Sequence, residues 1–169
     1  SHNLSVFKDS NPDCKPNELY KAVGGGPLLA FTSPDGIHWS QLSDKPIITR
    51  GSFDSQNVAF WDPNRGEYRE YHRHRRNGRD IMTATSKDFL NWTEPVWLEY
   101  SQERWLKFSP RQTKRSPYIQ FYTNQIVPYD RAPHIYLGFP ARYVADRDQL
   151  TPLNERLSRS EEDVARLEI

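Results

Sequence analysis

The sequence predicts an all-β protein of repeated four-stranded antiparallel units, ending in a C-terminal helical segment. Three observations carry that prediction. First, Ser33-Pro34-Asp35-Gly36-Ile37-His38-Trp39 returns as Ser86-Lys87-Asp88-Phe89-Leu90-Asn91-Trp92, so Ser, Asp and Trp share one offset (86 − 33 = 53). Second, Val6-Phe7-Lys8-Asp9 returns at the same offset as Ala59-Phe60-Trp61-Asp62 (62 − 9 = 53). Two landmarks on one period argue for a duplicated structural unit, and a period of about 50 residues belongs to repeat architectures, propellers and solenoids among them. Third, the 169-residue chain is 13% aromatic but only 36% hydrophobic, with 13 prolines. Short apolar runs between turn residues are the pattern of β-structure.

The first unit, residues 1–50, opens with a strand from Leu4 to Lys8. A loop from Asp9 to Glu18 leads to a second strand, Leu19 to Val23. Gly24-Gly25-Gly26 turns the chain into a third, Leu28 to Thr32. The Ser-x-Asp-x-x-x-Trp turn follows, and Pro46 to Thr49 is expected as the outer strand. Residues 51–100 repeat this order. Asn57 to Trp61 is the inner strand, and Asp62-Pro63-Asn64-Arg65-Gly66-Glu67 is a turn in which Pro presets φ and Gly supplies a positive one. Tyr68 to Arg73 returns, Asn77-Gly78 turns as a hairpin signal, Ile81 to Ser86 is the third strand, and Thr93 to Leu98 the fourth.

Residues 101–121 read as an insertion carrying Arg104, Trp105 and Arg111. An incomplete third unit occupies 122–145: Asn124 to Asp130 aligns with Gln56 to Asp62 (130 − 62 = 68), and His134 to Phe139 supplies its second strand. By this alignment Asp9, Asp62 and Asp130 hold one equivalent position. The tail, 146–169, is dense in Glu and Arg. It reads as helix from about Pro152 to Leu167, with Ser160 as a cap.

Charge excludes little but directs the reading. Lys and Arg number 23 against 22 Asp and Glu, a net of +1, which offers no global basicity for nucleic acid. The run His72-Arg73-His74-Arg75-Arg76 is a local exception, and it reads as a solvated hairpin. His72 and His74 lie two apart on one strand face, where two ligands are available and no third is evident. The single Cys14 permits no intramolecular disulfide. No apolar run is long enough to cross a membrane as a helix, and no signal peptide is visible, so a soluble, cytoplasmic protein is expected. Ser and Asp of the repeated turn bond their own backbone, and Trp covers the core, so Asp35 and Asp88 are scaffold.

Several segments resemble five-bladed β-propeller proteins of the glycoside hydrolase family 32/43/68 type, in particular bacterial members described as family 32-like or sialidase-like. They are Val6-Phe7-Lys8-Asp9 followed by Leu19-Tyr20-Lys21-Ala22, Phe31-Thr32 running into the first Ser-x-Asp-x-x-x-Trp turn, Asn57-Val58-Ala59-Phe60-Trp61-Asp62, and Thr83-Ala84-Thr85 running into the second turn. The resemblance spans residues 4 to 143. It implies a partial β-propeller of about two and a half blades, with a sugar site where the innermost strands begin. Glycoside hydrolysis needs two carboxyl groups. The family's N-terminal Trp-Met-Asn-Asp-Pro-Asn-like motif is not found; Asp62-Pro63-Asn64 is only a short echo of it, and no Glu-Cys motif is present. Five blades of this period need on the order of 250 residues, so a truncated chain is one reading of this sequence.

Within this resemblance, Asp54 is the candidate catalytic carboxylate, at the head of the second inner strand. Gln56, Asn57, Asn124 and Gln125 are candidate hydroxyl partners for a sugar. Arg104 and Trp105 suit an acidic sugar, because Arg pairs bidentately with carboxylates and Trp stacks on rings. The partner expected is therefore carbohydrate, with neither nucleic acid nor membrane, and no cofactor or metal is implied. The competing expectation is a non-enzymatic interaction protein that self-associates through open blade edges.

Overall fold

Alternation of inward and outward side chains decides where the strands run and which faces they bury. The computed structural model describes residues 4–101 and 118–143. Strands β1 (Ser5–Lys8), β2 (Tyr20–Gly24), β3 (Leu29–Ser33) and β4 (Ser40–Gln41) form one antiparallel sheet in the order β1-β2-β3-β4. Strands β5 (Val58–Asp62), β6 (Glu67–Arg75), β7 (Arg79–Ser86) and β8 (Val96–Trp97) form a second in the order β5-β6-β7-β8. Both are meanders, so the duplicated unit is a four-stranded antiparallel sheet. Two short pairs follow: β9 (Gln120–Phe121) with β12 (Arg142–Tyr143), and β10 (Ile126–Tyr129) with β11 (Ala132–Gly138). Among the described residues the fold is all-β, with a single 3-10 turn, Pro16–Glu18, in the long β1–β2 loop.

The repeated turns match atom for atom. Ser33 Oγ accepts from Gly36 N at 2.9 Å, and Ser86 Oγ from Phe89 N at 3.0 Å. Asp35 Oδ1 accepts from Ile37 N and His38 N, both at 2.8 Å; Asp88 Oδ1 accepts from Leu90 N at 2.9 Å and Asn91 N at 2.7 Å. Each Trp indole then donates to the carbonyl three residues back, Trp39 to Gly36 at 3.0 Å and Trp92 to Phe89 at 2.9 Å. The turn requires a left-handed residue, Gly36 at φ 77° and Phe89 at φ 68°. Phe89 holds that strained conformation because its ring is fully buried between the two sheets.

The second sheet is covered on both faces. Val23, Leu28 and Ala30 of the first sheet pack against Ala59, Tyr68, Ala84 and Phe89. On the opposite face Val58, Phe60, Tyr71 and Ile81 pack against Ile119, Phe121 and Ile126. Burial on both faces explains the unbroken apolar run of β5, and each fully buried Ile or Phe contributes about 1.5–3 kcal/mol. Neighbouring units are also tied by one recurrent polar contact. Tyr68 donates its hydroxyl to Asp9 of the preceding unit at 2.6 Å, and Tyr136 donates to Asp62 in the same way. Both carboxylates are buried.

Four expectations are corrected. The outer strand of the first sheet is Ser40–Gln41, not Pro46 to Thr49. The chain returns beside β3 directly after Trp39, with Gln41 opposite Phe31, and Ile48 makes only an isolated bridge to Leu28. Gln120–Phe121, assigned to the insertion, is a strand that closes on Arg142–Tyr143. In the third unit Pro128 stands opposite Tyr136, as Trp61 stands opposite Tyr68 and Lys8 opposite Tyr20. The inner strand is therefore displaced by one from the aligned offset (128 − 61 = 67). Tyr129, not Asp130, takes the place of Asp9 and Asp62, and the register shift between Pro128 and Tyr129 marks where the alignment parts. Finally, the basic run is a solvated hairpin only at its far end, where Arg75 and Arg76 are exposed. His72 and Arg73 are buried, because β6 is central in a sheet covered on both faces. The expected helix from about Pro152 to Leu167 lies outside the described residues.

Candidate functional site

The loop before β5 is held by its own amides. Asn57 donates Nδ2 to the Phe53 carbonyl at 3.1 Å, and Ser52 N donates to the Arg73 carbonyl at 2.7 Å. Gly51 lies so close to His72 and Phe53 that a Cβ there would sit 2.6 Å from each ring. The loop buries Phe53 and turns Asp54 outward, its side chain 69% exposed. Arg73, itself buried, reaches out from β6 and pairs with Asp54. That hydrogen bond and the positive charge of Arg73 hold the Asp54 carboxyl below the usual carboxylate range, against the smaller opposing effect of burial.

The loop before β10 meets it from the other side. Asn124 is fully buried: its Nδ2 donates to the carbonyls of Gln56 at 3.2 Å and Tyr71 at 3.1 Å, and its Oδ1 accepts from Ile126 N at 3.3 Å. It locks the two loops together and does not line the opening between them. Gln125, in a left-handed conformation at φ 46°, donates its backbone N–H to Gln56 Oε1 at 3.2 Å.

Between the loops lies an open cleft of about 490 Å³, within the usual size of small-ligand sites. Asp54, Ser55, Gln56 and Asn57 line it from the head of β5, Tyr122, Thr123 and Gln125 from the head of β10, and Leu4 and Ser5 from the head of β1. The three inner strands thus begin at one place. The candidates Asp54, Gln56, Asn57 and Gln125 come together there, while Arg104 and Trp105 lie outside the described residues. Tyr122 and Arg73 are the additions. The Arg73 guanidinium lies 4.9 Å from the centre of the Tyr122 ring, so the acid, the base and the aromatic form one cluster. No spacing rule separates Arg73 from its basic neighbours; only its burial in β6 does.

The chemistry available is limited by the carboxylates. Asp54 is the one carboxylate lining the cleft among the described residues. Held ionised by Arg73, it accepts hydrogen bonds and does not donate a proton at neutral pH. Glu70 and His72 form a separate, fully buried pair. His72 Nε2 faces the Arg50 carbonyl at 3.0 Å and so carries a proton, and Nδ1 lies 2.8 Å from Glu70 Oε2. Burial pushes the Glu70 carboxyl up while His72 pulls it down. Burial is the larger of the two effects, so the Glu70 carboxyl stands above its usual range. His74 is stacked on Trp97 and meets Ser52 Oγ at 3.3 Å, so the two histidines do not converge.

Comparison with protein-family models, with curated proteins and with solved structures gives no match.

Proposed function

We propose that this protein binds carbohydrate in the cleft at the heads of β1, β5 and β10. The observation that supports the reading is the lining itself. Two glutamine side chains, the hydroxyl-bearing Ser55 and Thr123, one ionised carboxylate and a tyrosine surround a shallow opening of sugar size. A sugar presents hydroxyls that donate and accept, together with an apolar ring face, and this set answers both. Among the described residues one carboxylate lines the cleft, where glycoside hydrolysis uses two. Binding is therefore the function proposed, on a scaffold of the glycoside-hydrolase propeller kind.

The test is calorimetric titration with a panel of mono- and disaccharides, each also assayed for released reducing sugar. Binding without turnover is expected. Asp54→Ala should weaken it by about tenfold or more, the worth of a hydrogen bond to a charged group, and Gln125→Ala by less. Binding unaffected by either substitution, or no sugar bound at all, would sink the reading.

A second reading, self-association, is favoured by one specific feature. The β10–β11 hairpin leaves Val127, Tyr129, Ile135 and Leu137 exposed on one side, with Phe139 just beyond it.

A further inference from the structure

The hydrogen bonds already made inside the cleft wall fix which atoms are left for a ligand. Gln125 N donates to Gln56 Oε1 at 3.2 Å. An N–H is met only by an oxygen, so this bond sets the orientation of the Gln56 amide and turns its NH2 group the other way. Ala141 N donates to Thr123 Oγ1 at 3.0 Å. That takes up an acceptor site of the hydroxyl and keeps its hydrogen for donation. Asn57 is spent inward: it is buried, with Nδ2 on the Phe53 carbonyl. Gln56 and Thr123, which line the cleft from the heads of β5 and β10, therefore present donors. The same cleft holds an acceptor of the opposite kind. Asp54 Oδ1 takes the Arg73 guanidinium, Oδ2 is left for a ligand, and the side chain is 69% exposed. Leu4 and Tyr122, both exposed, add apolar surface to the lining. Two neutral donors, one ionised acceptor and an apolar wall thus share one opening.

Resting on the carbohydrate reading above, we propose that the cleft selects sugars carrying an acetamido substituent, the N-acetylhexosamines. That group offers a carbonyl oxygen to Gln56 Nε2 and Thr123 Oγ1, an N–H to Asp54 Oδ2, and a methyl to Leu4 and Tyr122. A hydroxyl in its place brings no methyl and a single oxygen. A carboxylate would suit the two donors, but it would enter a cleft that already holds the ionised Asp54, and Arg73 is committed to that group. Like charges placed together are costly. A free amino group would suit Asp54 but would leave both donors facing another donor.

The experiment titrates the full chain with four ligands on one hexose frame: glucose, N-acetylglucosamine, glucosamine and glucuronate. N-acetylglucosamine should bind tightest, about tenfold above glucose, the worth of one or two net hydrogen bonds. Gln56→Glu keeps an oxygen for Gln125 N and replaces the donor by an acceptor. The preference over glucose should then fall to near unity, with a thermal melt confirming that the variant is folded. Thr123→Ser, which retains the hydroxyl, should keep the preference. Saturation-transfer difference NMR needs no variant: on the unsubstituted protein the acetyl methyl should receive more saturation than the ring protons. Equal affinity for N-acetylglucosamine and glucose overturns this inference and spares the carbohydrate reading. Binding of none of the four removes both. Tighter binding of glucuronate or glucosamine shows that charge, not the acetamido group, is read, and overturns the inference too. So does a preference that survives Gln56→Glu, or a methyl that receives no more saturation than the ring.

Discussion

Asp88 holds the chain that follows it, and its replacement has a calculable consequence. Its Oδ1 accepts two backbone N–H groups and the Ser86 hydroxyl, and its Oδ2 accepts from Asn91 Nδ2. Burial pushes this carboxyl up, but those donors, Asn91 foremost, pull it down to about 2. Asp88→Ala should therefore lower stability by about 1 kcal/mol, the usual worth of a side-chain cap on free backbone donors. The same depression fixes a sign with pH. The folded carboxyl titrates below the unfolded one, so its contribution is complete above about pH 4 and is lost as pH falls toward 2. Thermal melts at pH 7 and pH 2 check both statements: the gap between Asp88→Ala and the unsubstituted protein should be present at pH 7 and shrink at pH 2. At this scale the sequence was readable where side chains bond their own backbone. Ser and Asp at fixed spacing implied the turn without any tertiary information. The left-handed Phe89 was hidden, since only its counterpart Gly36 advertises that conformation. Asn124 was hidden too: an amide that faces a cleft and one that braces it are the same letter, and burial alone distinguishes them.

Between elements, the repeat is held by a tyrosine reaching back to an aspartate. Tyr68 also packs on Phe7, Trp61 and Phe89, with ring centres 6.5, 4.8 and 5.1 Å away. Asp9 is shared with Lys21, and Asp62 with Arg65 at 2.8 Å. Removing either hydroxyl leaves a buried carboxylate short of one donor without opening a large cavity. Tyr68→Phe and Tyr136→Phe should each cost about 1–3 kcal/mol. The two contacts lie at different junctions and share no partner, so the double variant should be additive within about 0.5 kcal/mol. Denaturant unfolding of the four proteins measures this. A single variant within error of the unsubstituted protein would show that the contact carries no stability. Strand existence and order were legible because alternation and turn chemistry are local. The third-unit register was not, because the shift between Pro128 and Tyr129, where the β11 partner jumps from Tyr136 to Ala132, leaves no mark in composition. The outer strand Ser40–Gln41 escaped notice because two residues of polar edge carry no hydrophobic pattern.

For the molecule as a whole, the site is a product of the repeat: three inner strands begin side by side, and their leading residues make the cleft. The period locates the strand heads and the propeller resemblance points to those heads as a site, and together they single out Asp54, Gln56 and Gln125 in the sequence. Arg73 and Tyr122 required tertiary contacts across 49 residues of chain (122 − 73), which no local pattern records. Among the described residues the third unit is two short strand pairs, and β11 pairs with β10 alone, so its outer edge presents free backbone groups. On the face away from the second sheet, Val127 stands opposite Leu137, at 45% and 37% exposure, and Phe139 beyond them is 69% exposed. A free edge beside an apolar face is a template for strand pairing, and a second copy of β11 related by a two-fold axis satisfies both copies at once. Self-association through this hairpin should appear in size-exclusion chromatography with light scattering as a dimer whose population rises with concentration. Leu137→Lys places a charge in the centre of the shared face and should return the protein to a monomer. Sugar binding should be unchanged, because the hairpin face lies outside the residues lining the cleft. A monomer at every concentration tested, or a dimer indifferent to Leu137→Lys, would leave this hairpin without a role in assembly. A dimer that dissociates while still binding sugar would show the two properties to reside on separate surfaces.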